Sequence, residues 1–329
     1  MSYGSLTLND GHKIPRIAYG AGSVWDVTGF VSQALEEGFD HLDNAQYYAN
    51  EQFVGAALAA SGVARKDVFV TSKYGFGDVD EALNASLKKL QLDYLNLYLI
   101  HNPASIPAGK IPEVWSKLEA ARVAGKAKSI GVSNFGPSQL QELLDSATVV
   151  PAVNQIMLHP YNYEAQLPTL KLCAEHAIAI EAYSSLNPIT KTPGGPLDPV
   201  LARIAKRIGG TPAQVIFAWL RQKGVIIVTT SGKAERLREY LAVPSLPELT
   251  SEEIEEIEEA GRKGPEPEKQ AYRFADEKRV PSTLDIDVEA QTEMPATRSA
   301  RRYCPIILLV GALGLYCFAK SVDALIDVL

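Results

Sequence analysis

The chain has 329 residues, with 32 basic and 39 acidic side chains and a formal net charge of −7. Apolar residues make up 46% and charged residues 22%, which excludes a fully disordered, collagen-like or disulfide-stapled chain. The acidic balance argues against a duplex nucleic-acid binder, which needs a concentrated basic face, so no nucleic-acid partner is expected.

Cysteines are few and widely spaced: Cys173, Cys304 and Cys317. With no C-x-x-C pair they form neither a disulfide framework nor a zinc site, and they read as buried or membrane-facing thiols in a reducing compartment. Met1-Ser2-Tyr3-Gly4 opens no basic and apolar leader pattern, so the bulk of the chain is expected in the cytoplasm.

From the start to about residue 262, short β-branched or apolar runs alternate with stretches of helical spacing. A hairpin is expected from Ser5–Leu8 and His12–Ile14, turning at Asn9-Asp10-Gly11. The strands are expected at 17–19, 41–42, 68–72, 95–100, 129–132, 152–155, 179–182 and 225–228. Thr28 is placed to cap a helix running to Glu37. Ser138 to Gln141 has the spacing of a capping box, and Pro212 suits the first turn of a helix carrying Val215, Phe217, Ala218 and Leu220. Eight strand–helix units in roughly 250 residues is the arithmetic of a (β/α)8 barrel. A doubly wound sheet alternates in the same way, although no G-x-G-x-x-G follows an early strand.

The pattern changes after Arg262. Gly264-Pro265-Glu266-Pro267-Glu268-Lys269 reads as a helix stop and linker. Residues 275–302 are charged and aperiodic, as in a disordered polar linker. Tyr303–Ala319 then runs without a charge, flanked by Arg298, Arg301 and Arg302 before it and by Lys320 after it. Its length is at the short end of what crosses a bilayer. The expected organisation is a barrel over 1–274, the linker, a transmembrane tail anchor over 303–320 and a short far-side tail over 321–329. The arginines would keep the barrel on the cytoplasmic side of an intracellular membrane.

Working residues of a barrel enzyme sit where its strands end. Asp43, Lys73 and His101 each follow or close an expected strand, and Tyr48 lies five residues beyond Asp43. Singly, each reads as a polar residue solvating a strand end; four on one face read as a site.

The sequence here resembles the aldo-keto reductase family from residue 5 to about 262. The motifs are Gly38-Phe39-Asp40-His41-Leu42-Asp43 with Tyr48-Ala49-Asn50-Glu51, Thr71-Ser72-Lys73, and Leu99-Ile100-His101-Asn102-Pro103. Further on stand Gly131-Val132-Ser133-Asn134-Phe135, Asn154-Gln155, His159-Pro160-Tyr161 and Ala182-Tyr183-Ser184. Val228 to Lys233, with Arg236 and Glu239, is similar to the fungal conjugated polyketone (ketopantoyl lactone) reductase branch.

The resemblance implies carbonyl reduction, with Tyr48 as general acid. Lys73 would make that phenol more acidic, Asp43 would hold Lys73 charged, and His101 would stabilise charge on the carbonyl oxygen. It implies NADPH as cofactor, with Tyr183 stacked on the nicotinamide and Ser133, Asn134 and Gln155 bonded to its carboxamide. Ser184 and Leu186 would lie along the pyrophosphate, Ser231 and Arg236 at the 2′-phosphate, and Glu239 at the adenine. Thr230 stands where relatives often carry a lysine, which leaves NADH use open. Gly20-Ala21-Gly22 departs from the usual threonine and tryptophan of the first loop. Trp25, Tyr47, Phe76 and Pro103, with His101, would line the substrate pocket, and Gln270–Phe274 would lie in the specificity loop. The expected substrate is a small-molecule aldehyde, α-keto lactone or vicinal diketone, and the barrel is expected to be a monomer. A sugar or polyol aldehyde reductase, or a cofactor-binding regulatory subunit at a membrane, are the alternatives.

Overall fold

A computed structural model describes residues 2–265. Gln270–Phe274, the polar linker, the apolar run with Cys304 and Cys317, and the far-side tail lie outside the described residues. Among the described residues no helix is long and apolar enough to cross a membrane.

The chain opens with a hairpin, β1 (Ser5–Thr7) and β2 (Lys13–Pro15), paired antiparallel with Leu6 opposite Ile14. Eight parallel strands follow: β3 (Ile17–Gly20), β4 (His41–Asp43), β5 (Phe69–Tyr74), β6 (Leu95–Ile100), β7 (Ala127–Ser133), β8 (Val153–Met157), β9 (Ala179–Tyr183) and β10 (Ile226–Thr229). They pair in sequence order, and β10 returns to β3, so the sheet is a closed barrel. That closure decides against the doubly wound alternative.

Alternation of side chains along each strand sorts the residues. Leu97 and Leu99 of β6 join Phe69, Val153 and Ile226 in a small interior cluster, and the hairpin contributes Leu8 and Ile14 to it. The hairpin therefore plugs the end where the strands begin. The larger apolar cluster lies between the strands and the surrounding helices and includes Tyr98, Trp115, Phe217 and Trp219. Gly131 is required by this closure: a Cβ there would lie 2.5 Å from the Val153 carbonyl and 2.8 Å from the Leu99 side chain.

The helices are α1 (Thr28–Glu37), α2 (Glu51–Ala60), α3 (Val79–Leu90), α4 (Ile111–Val123), α5 (Pro137–Leu144), α6 (Tyr163–Glu175), α7 (Asn187–Thr190), α8 (Leu197–Ile208), α9 (Pro212–Gln222), α10 (Ala234–Leu241) and α11 (Ser251–Arg262). Two expected caps are corrected. Thr28 is the first residue of α1 rather than its cap; its N–H donates to Asp26 Oδ1 at 3.0 Å, so the capping oxygen comes from Asp26. At α5 the reciprocal residue is Gln139, whose Oε1 accepts from Gly136 N–H at 3.2 Å, while Gln141 donates to Asp145 instead. Proline at 137 starts the helix one residue before Ser138 and shifts the frame. Pro212 opens α9 as expected, behind a Thr211–Gln214 capping box. α11 stops at Arg262, just before the Gly-Pro step.

Candidate active site

Period-two alternation puts Phe69, Thr71 and Lys73 on one face of β5, and Lys73 is its last interior position before the rim. Asp43 ends β4, whose partner in register is Thr71. The Lys73 ammonium donates to Asp43 Oδ1 at 2.5 Å and to the Asn44 carbonyl at 2.9 Å. Both side chains are buried. Burial works against the ammonium, but Asp43 and Tyr48 outweigh it and hold Lys73 above the ordinary lysine range.

Tyr48 closes a single 3-10 turn, Gln46–Tyr48, after β4. Its ring centroid lies 5.5 Å from Lys73 Nζ and 5.7 Å from the His101 ring. Here the expectation needs correction. Lys73 does pull the phenol toward ionisation, but burial pushes it the other way and dominates, and Asp43 and Tyr183 add to the rise. The phenol is therefore held above its ordinary value and keeps its proton, the form in which a general acid waits.

His101 follows β6 directly. Burial and then the Lys73 charge lower its pKa from 6.5 to about 3, so it is a neutral imidazole at any working pH. Its Nδ1 is buried without a hydrogen-bond partner among the described residues. Tyr47 packs edge-on against His101 at 5.6 Å and against Phe76 at 5.3 Å, so these aromatics rim the same cleft. Phe76 is half exposed, and Pro103 opens the short turn after β6. Trp25 is more exposed still and stacks on Phe53 rather than on any residue of this group.

The polar residues expected at the nicotinamide also gather. Ser133 ends β7, in register with Gln155 of β8, which is in turn in register with Glu181 of β9. Ser133 Oγ donates to the Gln155 carbonyl at 2.8 Å. Asn134 Nδ2 donates to the His101 carbonyl and to Ser133 Oγ, and Tyr183 OH donates to Asn134 Oδ1 at 2.7 Å. Asn134, Ser184 and Ala49 all hold positive φ, of 63°, 54° and 54°. Asparagine tolerates such backbone, but for serine and alanine it is unfavourable, and Asn134 and Ser184 adopt it just past the ends of β7 and β9.

Leu186, Arg236 and Glu239 line one cavity of about 530 Å³, together with Ile189, Asp198 and Thr211. Arg238 pairs with Glu37, whereas Arg236 is exposed and in no ion pair among the described residues. A free guanidinium at the mouth of an apolar-walled groove fits a phosphate at the end of a dinucleotide. Ser184 is exposed next to Tyr183, and Ser231 lies in the loop after β10, accepting from Lys233 N–H; neither is among the residues lining that cavity.

Two participants escaped the sequence reading. Thr211 hydrogen-bonds Glu239 and fixes it in the cavity wall. Glu181 is wholly buried and accepts from Gln155 Nε2 at 2.9 Å. An acid two residues before Tyr183 in an apolar strand was the available signal for the second.

Known proteins carry the same plan. A model of the Aldo/keto reductase family matches residues 1–262. The chain belongs to the aldo/keto reductase family. An NAD/NADP-dependent indole-3-acetaldehyde reductase of Schizosaccharomyces pombe is 38% identical over 261 residues, 75% of this chain and 92% of that protein. A methylglyoxal reductase of Salmonella typhimurium is 37% identical over 276 residues, 80% of this chain and 96% of its own. The crystal structure of a Bombyx mori aldo-keto reductase in complex with NADP superposes with a TM-score of 0.72 at 32% identity, covering 79% of this chain and 93% of that one. As an aldo/keto reductase the chain is an oxidoreductase that works with NADPH or NADH.

Proposed function

We propose that this aldo/keto reductase reduces small aldehydes and α-dicarbonyl compounds to alcohols, with Tyr48 delivering the proton. The observation that carries the reading is the buried Asp43–Lys73 pair behind Tyr48, with a neutral His101 beside the same phenol. A carbonyl oxygen seated between Tyr48 and His101 receives a hydrogen bond from each. As negative charge grows on that oxygen, the Tyr48 proton moves to it, and Lys73 compensates the phenolate left behind. Asp43 keeps Lys73 charged and fixed. His101 stays neutral and donates without competing for the proton. When bound, reduced nicotinamide supplies the hydride.

Ser133, Asn134, Gln155 and Tyr183 are the chain's groups for the nicotinamide, and Ser184, Leu186, Ser231, Arg236 and Glu239 those for the rest of the dinucleotide. The unpaired Arg236 favours NADPH over NADH, while Thr230 adds no second cation. The aromatic rim of Tyr47 and Phe76 suits a compact substrate with an apolar face. Relatives named for methylglyoxal and for indole-3-acetaldehyde bracket that range. The narrower likeness to fungal conjugated polyketone reductases rests on residues 228–239 and adds keto lactones to the substrate panel.

The test is Tyr48→Phe. It should keep NADPH binding, read by fluorescence, and lose at least about a hundredfold in turnover of methylglyoxal. Retained turnover refutes the role of Tyr48. Wild-type protein that binds NADPH tightly but oxidises it with no aldehyde, dicarbonyl or sugar would favour a regulatory, cofactor-binding role.

A further inference from the structure

Glu181 lies in the interior layer of the barrel, in register with Gln155 on one side and Ile226 on the other. It is 0% exposed. Burying a carboxyl group is unfavourable unless its oxygens are well supplied with donors. Glu181 is poorly supplied. Among the described residues Oε2 accepts one hydrogen bond, from Gln155 Nε2 at 2.9 Å, and Oε1 is buried with no partner. The cation it shares with Asp43, Lys73, is bonded to Asp43 and to the Asn44 carbonyl instead. Burial, and Asp43 after it, push the Glu181 carboxyl above the ordinary range. Glu181 and the Lys73 ammonium attract one another with no hydrogen bond between them among the described residues. What Glu181 does hold is Gln155.

The Gln155 amide nitrogen has two N–H groups. One donates to Asp43 Oδ2 at 2.8 Å and the other to Glu181 Oε2. The Lys73-bound Asp43 carboxylate fixes which end of the amide faces it, because an amide oxygen turned that way would meet an acceptor, and Glu181 Oε2 takes up the second N–H. The carbonyl end of Gln155 is thereby turned away from both acids. We infer that Glu181 is a positioning residue for the cofactor: with Asp43, it locks the Gln155 amide so that its oxygen is presented as an acceptor for the nicotinamide carboxamide. Asp43 alone would leave the second N–H unpaired in a dry interior, and the amide free to swing away from the cleft. This inference rests on the proposed role of Gln155 at the nicotinamide.

The test uses the full chain and two binding probes read by tryptophan fluorescence: NADPH, and 2′,5′-ADP, which lacks the nicotinamide. Glu181→Leu removes the acceptor. NADPH should bind about tenfold more weakly and 2′,5′-ADP unchanged. Glu181→Gln still offers a carbonyl oxygen to Gln155 Nε2 and should stay within about threefold of wild type for NADPH. Glu181→Ala serves the same comparison should the leucine variant not fold. In a Gln155→Leu background, adding Glu181→Leu should change NADPH affinity less than about twofold, since Glu181 acts only through Gln155.

Additive losses in that cycle, or equal weakening of both probes, overturn the inference in favour of a structural role for Glu181. So does a Gln variant as impaired as the Leu variant, or unaltered NADPH affinity in Glu181→Leu. Wild-type protein that binds neither probe overturns the cofactor reading itself.

Discussion

His41 and His159 are buried and His101 is half-buried, all three as neutral rings, and together they make the fold acid-sensitive in a calculable way. Burial lowers His41 from 6.5 to about 4, His101 to about 3 and His159 to about 4. Their folded values lie below their unfolded ones. Their contribution to stability is therefore complete above pH 6.5 and is lost as pH falls, because only the unfolded chain takes up the protons. At pH 5 the unfolded form of one such histidine gains about 2 kcal/mol by protonation, or about 6 kcal/mol for the three. That is comparable with the whole stability of an ordinary domain. Urea unfolding of the cofactor-free protein at pH 8, 6.5 and 5 should show midpoints falling steeply below pH 6.5. Carboxylates contribute to such a slope, so the decisive comparison is with His101→Gln and His41→Gln. Each should flatten the dependence by up to about 1.4 kcal/mol per pH unit between pH 6 and 4. Variants that keep the wild-type slope, or an NMR titration of His101 near 6.5, refute the burial argument and with it the neutral donor proposed for the oxyanion.

Lys73→Met should abolish turnover and destabilise the fold by about 3 kcal/mol, because Asp43 then lies buried without its cation. The double variant Asp43→Asn/Lys73→Met should regain most of the denaturation midpoint and none of the activity; a double variant no more stable than the single one would contradict the pairing. Arg236→Ala should weaken NADPH by about tenfold or more while leaving NADH nearly unchanged, measured by competition binding. Equal weakening of both cofactors would remove Arg236 from the 2′-phosphate. Residues 298–329 fused to a soluble reporter should direct it to an intracellular membrane; a diffuse signal would dispose of the tail anchor.

The barrel could be read in advance because its strands alternate with helices, evenly as far as β9 and with a longer interval of three helices before β10, and each expected strand overlaps an observed one to within two residues at either end. Asp43, Lys73 and His101 were visible for the same reason: each is polar where an apolar strand runs out. Helix starts were less visible at α1 and α5. A capping oxygen can come from Asp26 as readily as from Thr28, and only the backbone path chooses between them.

The acid–base character of the site was further out of reach, because it is a balance of opposed effects. The charge of Lys73 beside Tyr48 is written in the sequence. The water excluded around Tyr48 is not, and it outweighs that charge. Glu181 shows the same division. Counting by twos from Tyr183 places it inside the barrel, beside Gln155 in register. The count does not reveal that Lys73 is already bonded to Asp43, or that Gln155 is the donor bonded to the second acid among the described residues. A carboxyl group held there by a single amide makes sense where the orientation of that amide matters more than the stability lost by burying the acid.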